Sequence, residues 1–353
     1  QGANAPPDPQ SFDSLPARCY NPVTACPGNT MIRDSRASRP PSSNTRGPAR
    51  PPYRRSRRRS CLSRLLAALP ALISSAGALA VGGAILWRWS ATLPRTNVLI
   101  LGLDRRPGEG NVVRSDTMVL ATICPPEPCI ALLSAPRDLY VDIPGHGANR
   151  INTAHFWGEN DAEGGGPTLA MQTVAQNFGV PVHHYVRVDF DGFRAIVDAV
   201  GGVELVVEEA IVDDEYPTAD YGTTRIEIPA GAQRMDGETA LRYARSRHGS
   251  SDWDRVRRQQ QILIALAQRL LEPRVWPRLP LVYHTVMNNV ETDMTGWDLL
   301  LLAPTLYRAG PDSIEHHVIG ADMTQPWTAP NGGAVLLPQW ETIHPLVQKL
   351  FAP

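Results

Sequence analysis

Between residues 65 and 87 the chain reads LLAALPALISSAGALAVGGAILW, 23 residues without a charged side chain. Few environments accept such a run. As a helix rising about 1.5 Å per residue it reaches roughly 34 Å, enough to cross a hydrocarbon core with modest tilt. Pro70, Gly77, Gly82 and Gly83 would weaken a helix in water but are tolerated in lipid. Arg50, Arg54, Arg55, Arg57, Arg58, Arg59 and Arg64 precede the run with no acidic residue among them. Behind it, Arg88 and Arg95 are the only nearby basic residues, and Trp87 and Trp89 suit a membrane–water interface. The positive-inside rule therefore predicts a single-pass transmembrane helix at 65–87, the N-terminus in the cytoplasm and the C-terminal part outside. A cleaved signal peptide would need a shorter apolar core and a small-x-small site, which ATLP at residues 91–94 matches poorly.

Charge divides at the same place. Residues 1–64 hold twelve Arg and three acids (Asp8, Asp13 and Asp34), while the rest of the chain holds 22 basic and 32 acidic side chains. The first segment, rich in Pro, Ser and Arg, lacks the apolar residues to offset chain entropy, and is expected to be a disordered cytoplasmic tail. It opens on Gln1, and Met31 stands as an alternative start. A linker is expected at 88–95 and one large domain at 96–353. The acidity of that domain speaks against nucleic acid as a partner, so clustered arginines inside it need a local explanation.

Residues 96–103 form a short apolar run rich in branched side chains, as expected of a buried strand. Residues 118–123 and 130–134 flank ICPPEPCI and predict a hairpin. Cys124 and Cys129 lie at its turn; in an exported domain they could pair as a disulfide or remain two buried thiols. Further on, helices are expected at 168–178 (stopped by Gly179), 193–200, from Asp236 to residue 243, 256–271, and 297–307 capped by Thr295. Strands are expected at 184–190 and 203–207. Interleaved strands and helices with a hairpin among them predict an α/β domain with a mixed sheet.

No GxSxG, Walker loop, HExxH or Cys–His nucleophile occurs. Asp and Arg instead recur at the ends of apolar strands: Asp104, Arg114 and Asp116, Arg137 and Asp138, then Arg150, Asn152 and His155, Arg245 and Arg247, and Arg255, Arg258 and Gln259. Arginine forks bind phosphate oxygens in pairs and Asp carboxylates suit a hard cation, so the set predicts a polyanionic ligand and metal-assisted phosphoryl chemistry. Each member alone has a plainer role. An Asp–Arg pair is commonly a surface ion pair worth little. Arg245 and Arg247 complement a helix C-terminus. Arg255, Arg257 and Arg258 can be a solvated helix face, and His155 a satisfied polar residue.

In order along the chain, NVLILGLDRR, RSDTMVLATI, LLSAPRDLYVDIPGHG, RINTAHFWG, VDFDGFRAIVDAVGGVEL, MDGETALRYARSR and DWDRVRRQQQ resemble the LytR-CpsA-Psr family, from about residue 96 to 271 with a looser tail. The resemblance implies a mixed central sheet flanked by helices with an apolar lipid groove. It implies a membrane-anchored transferase that moves a glycopolymer from a polyprenyl diphosphate carrier to a cell-wall acceptor, typically a peptidoglycan hydroxyl. By the same resemblance Asp104 and Asp116 bind a divalent cation such as Mg²⁺. Arg114, Arg137, Arg150, Arg245, Arg247, Arg258 and Gln259 bind the diphosphate. Arg137, Asp138, Asp116, Arg245 and Arg247 serve catalysis. Phe190, Phe193, Ile196, Leu263 and Leu266 are candidates for the lipid groove, with ordinary core packing as their other role. Arg150 replaces the family's usual Lys, SAPRD replaces SIPRD, and residues 158–167 and the CPPEPC turn depart from the pattern. A non-catalytic envelope regulator that binds the same lipid, or a pyrophosphatase acting on it, are the alternatives.

Overall fold

The structure, a computed structural model, describes residues 61–352 except 106–109, 126, 219–221, 247–251 and 311–312; the side chains of 61–72, 76, 79 and 252 also lie outside the described set. Of the tail expected at 1–64, residues 1–60 therefore fall outside it. A helix, α1 (Cys61–Ser90), starts inside the stretch assigned to that tail, contains all of 65–87, and takes in the first residues of the expected linker. Among the described residues no helix is long and apolar enough to cross a membrane. The leucine-rich start of the 65–87 run lies among the residues whose side chains are not described.

The apolar runs pair as expected. They form β1 (Thr96–Leu103), β2 (Ser115–Cys124) and β3 (Cys129–Ala135), followed by a small hairpin of β4 (Tyr140–Ile143) and β5 (Gly147–Arg150). Two helices, α2 (Thr153–Asp161) and α3 (Gly165–Phe178), lead to β6 (His184–Asp189) and α4 (Phe190–Ala199). Gly179 ends α3 at φ 70°, the left-handed conformation that favours glycine. Helix α4 begins at Phe190, earlier than expected, because the Asp189 side chain caps it by accepting from the Gly192 N–H.

Next come β7 (Val203–Val207), a hairpin of β8 (Ile211–Pro217) and β9 (Thr223–Ile228), and β10 (Gly231–Met235), paired with β7. Helices α5 (Gly237–Arg245) and α6 (Asp252–Leu271) follow, and Asp236 caps α5 through the Thr239 N–H. The remainder is α7 (Leu279–Asn289), β11 (Val290–Thr292), α8 (Gly296–Ala309), β12 (Ile314–Val318), β13 (Thr324–Thr328), β14 (Ala334–Pro338) and α9 (Trp340–Phe351). Thr295 and Asp298 close a capping box at the start of α8.

The main sheet has the order β11-β6-β1-β2-β3-β12. β2 is antiparallel to β1 and β3, while β6 and β12 run parallel to β1 and β3 respectively. Both faces are covered, which is why the central strands read as continuous apolar runs. Leu99, Leu101, Leu120 and Leu133 pack with Val174, Phe178, Val347 and Phe351 of α3 and α9. On the other face Ile100, Val119, Ala121 and Leu132 meet Leu263 and Ile264 of α6 and Leu306 of α8. Full burial of one such side chain contributes about 1.5–3 kcal/mol. The far end of the β2–β3 hairpin is closed by a Cys124–Cys129 disulfide between residues paired in register.

One buried network tightens the edge of this sheet. Arg187 of β6, 4% exposed, forms ion pairs with Glu159 of α2 and Glu291 of β11. Its Nη1 also donates to His155 Nε2 at 3.1 Å, and His155 Nδ1 donates to the Val113 carbonyl at 2.8 Å. That geometry requires a neutral ring protonated on Nδ1, and His155 is the satisfied polar residue of its plainer role. Burial is the largest influence and holds the imidazole below its ordinary pKa, although the Val113 bond opposes it. A folded-state pKa below the unfolded one means the unfolded chain binds the extra proton. Stability should therefore be flat above the unfolded value of about 6.5 and fall as pH drops below it. Denaturation midpoints measured from pH 8 to 5 should show this slope, and His155→Gln should flatten it.

Candidate functional site

Strand direction gathers the charged residues. Leu103 at the end of β1 lies opposite Ser115 at the start of β2 and Asp189 at the end of β6. Met118 opposite Ala135 brings the end of β3 to the same edge. Asp104, Arg114, Asp116, Arg137, Asp138 and Asp189 therefore leave the sheet on one side, on rigid supports where loops carry function. A register shift between Gly102 and Leu103 bends β1 at this point, a common device beside a site.

The side chains form two linked sets. Arg137 reaches Asp116 at 3.3 Å and Asp138 at 3.4 Å, and Asp138 pairs with Arg150 at 3.1 Å. Arg245, at the end of α5, lies 3.6 Å from Asp104. Its guanidinium sits 4.1 Å above the Phe190 ring and 5.5 Å from the Tyr216 ring, and its Nη1 donates to the Tyr216 hydroxyl at 3.4 Å. These aromatic contacts fix where the cation points. Burial pushes the Tyr216 hydroxyl pKa up, with Arg245 opposing. Beside them Arg105 pairs with Asp189. Burial alone would raise the Asp189 pKa, but the Gly192 N–H and Arg105 hold it below the usual carboxylate range.

Behind this edge lies a cavity of about 290 Å³ between the sheet and α4, α5 and α6. Ile100, Val188, Phe190, Phe193, Leu241, Ile262 and Leu263 supply apolar walls; Asp104, Asp116, Asp189, Arg245, Arg255 and Gln259 supply polar ones. Of the expected groove residues, Phe190, Phe193 and Leu263 are here. Ile196 and Leu266 are not, and Leu266 packs in the cores around α4 and α7. Gly102 also lines the cavity, and a Cβ there would come within 2.9 Å of Thr117 Cβ.

Two further clefts adjoin. One of about 620 Å³ is lined by Arg137, Asp138, Trp253, Arg255 and Trp327. Another of about 240 Å³ holds Arg114, Arg150, Tyr140 and Asn331. Arg255, 4% exposed, faces both the apolar cavity and the larger cleft, a position the solvated-face alternative does not predict. Arg258 is placed elsewhere. It lies on the side of α6 with Glu208 and Asp254, donates to the Ser246 carbonyl at 2.5 Å and stacks 5.8 Å from the Tyr243 ring. Burial lowers its pKa. Arg247 lies outside the described residues. Tyr216 and Asp189 were missed as site residues; the only sequence signal for them was aromatic and acidic residues near strand ends.

Among the described residues no group of three His, Cys, Asp or Glu side chains could hold a metal. The pair Asp104 and Asp116 nonetheless fits a cation that keeps several waters and takes its other ligands from substrate phosphates. Asp104 Oδ1 is buried and has no hydrogen-bond partner among the described residues, which suits a missing ligand contact.

The site is thus an open mixed α/β sheet with arginine–carboxylate pairs at the edge of an apolar cavity. The chain belongs to the LytR_cpsA_psr family, whose model matches residues 90–336. It is 36% identical over 200 residues to the polyisoprenyl-teichoic acid–peptidoglycan teichoic acid transferase TagU of Oceanobacillus iheyensis, covering 56% of this chain and 58% of that protein. Its fold matches the crystal structure of B. subtilis TagV with TM-score 0.60 and 26% identity, over 73% of this chain and 97% of that one. It also matches TagT bound to LI-WTA with TM-score 0.59 and 26% identity, over 74% of this chain and 90% of that one.

Proposed function

We propose that this protein is an envelope phosphotransferase that moves a glycopolymer from a polyprenyl diphosphate carrier to a cell-wall acceptor hydroxyl, with peptidoglycan as the acceptor class. The observation that carries the proposal is the apolar cavity whose polar lining includes Asp104, Asp116 and Arg245. A lipid tail needs the apolar walls and a diphosphate needs the cations. The names of the family's transferases and the TagT structure bound to LI-WTA support the same class.

In this mechanism Arg245, aimed by Phe190 and Tyr216, holds one phosphate, while Arg137 holds the other from the larger cleft. Mg²⁺ bound by Asp104 and Asp116 would supply neutralising charge to the diphosphate. The acceptor hydroxyl enters by the cleft of Trp253 and Trp327, on the other side of Arg255 from the cavity. Its oxygen bonds to the sugar-linked phosphorus as the bond to polyprenyl phosphate breaks, leaving a phosphodiester. A loose transition state needs little base help, and the released phosphate can take up the hydroxyl proton. Fixed guanidinium groups stabilise the charge that develops. Anchorage through residues 65–87 would place the domain in reach of a donor carried in the same membrane.

The test supplies the purified full chain with lipid-linked glycan, Mg²⁺ and acceptor. Acceptor-dependent product supports the transferase; release of lipid phosphate without acceptor points to a pyrophosphatase, and tight binding without turnover to a regulator. Mass spectrometry should find a polyprenyl phosphate or diphosphate with the wild-type chain. Leu263→Trp, which narrows the cavity from its α6 wall, should lower the amount recovered.

A further inference from the structure

Away from the charged site, the start of α8 meets α7 and its end meets the turn that precedes α7. The Tyr283 hydroxyl sits where a Cβ on Gly296 would be 2.8 Å away, and the Trp276 ring, just before α7, is 6.0 Å from that of Tyr307 near the end of α8. Their outer faces are apolar and exposed. Leu279, Tyr283 and Met287 recur every four residues on α7, and Trp297, Leu300 and Tyr307 share a face of α8, with Trp297 69% exposed. Contiguous exposed apolar patches mark protein or membrane contact surfaces.

Three observations select lipid as the occupant. The patch is rich in Trp and Tyr, whose apolar rings with a polar edge favour the headgroup level of a bilayer. Exposed Arg88, Arg274 and Arg278 lie close by in sequence to Trp87 and Trp276, as anionic headgroups would require. The single acid within the two helices, Asp298, is occupied in the capping box. Finally, the patch continues onto α1: the Tyr307 ring meets Trp87, the last residue of the charge-free run, at 6.1 Å.

We propose that the α7–α8 face rests on the membrane surface that α1 enters, with Trp276, Trp297 and Tyr307 among the headgroups. This rests on the anchoring half of the proposed function. Helix α4, which lines the cavity with Phe190 and Phe193, packs on α7. Seating α7 on lipid therefore sets the height of the cavity above the bilayer.

The test uses the full chain reconstituted in phosphatidylcholine–phosphatidylglycerol vesicles, with tryptophan emission quenched by lipids brominated near the headgroup end of the acyl chain. Combined Trp276→Phe and Trp297→Phe should remove a large part of the quenched emission, leaving the share of Trp87 and Trp89. Combined Trp297→Asp and Leu300→Asp should lower turnover of a long-chain donor in the vesicles about tenfold while sparing a short-chain dispersed donor. Unchanged quenching in the Phe variant, with the chain still floating with vesicles after an alkaline wash, overturns the docking alone. A chain that washes off overturns the anchor as well. Protection of Trp297 that depends on protein concentration in lipid-free detergent assigns the face to a second copy and also overturns the docking.

Discussion

Arg137→Ala should abolish turnover of a polyprenyl diphosphate-linked donor, lowering the rate roughly 10²–10³-fold, the effect of losing one fixed donor to developing charge. Arg137 pairs with both Asp116 and Asp138, so it joins the carboxylate at the start of β2 to the one after β3. The domain should stay folded, because the guanidinium is partly exposed and such pairs contribute only about 0–1 kcal/mol. Arg137→Lys should recover little, since an ammonium cannot present a planar fork. Release of polyprenyl phosphate, followed alongside circular dichroism, checks both halves. Wild-type turnover in the folded Ala variant would sink the assignment.

The second large effect concerns Asp104. Asp104→Asn keeps the shape of the side chain but removes its charge opposite Arg245. Turnover should fall about 10²-fold, in line with loss of one electrostatic element of the site. The melting temperature should move by no more than about 2–4 °C, the shift expected from roughly 1 kcal/mol in a domain of this size. Sensitivity to Mg²⁺ concentration should weaken in the same variant if Asp104 is a ligand. A folded Asp104→Asn protein with unchanged turnover and unchanged Mg²⁺ response would remove Asp104 from the mechanism.

Much of the frame was legible because its signals are local. The runs that became β1, β2 and β3 carry their own apolar pattern, Gly179 its left-handed stop, and Asp236 and Thr295 their caps. The β8–β9 hairpin was not legible. Its sequence IVDDEYP alternates weakly and is acidic, and its value lies in a contact between Tyr216 and Arg245, 29 positions apart. Helix α7 was missed for a similar reason: LPLVYHTVMNN is rich in branched residues and has no side-chain cap, so packing against α4 decides it. The start of α4 was misplaced because Asp189 ends a strand and caps a helix at once.

The charge-free run at 65–87, the charge asymmetry around it and the order of the motifs belong to the sequence alone, because each is written in neighbouring residues. Which arginines face the cavity was decided by tertiary structure. Arg255 and Arg258 lie three positions apart on one helix, yet one lines the cavity and the other turns to Tyr243 and Ser246. Positions three apart are separated by only about 60° around a helix, so spacing alone does not tell the two arginines apart, and only the packing of α6 against the sheet and α5 selects which one reaches the cavity.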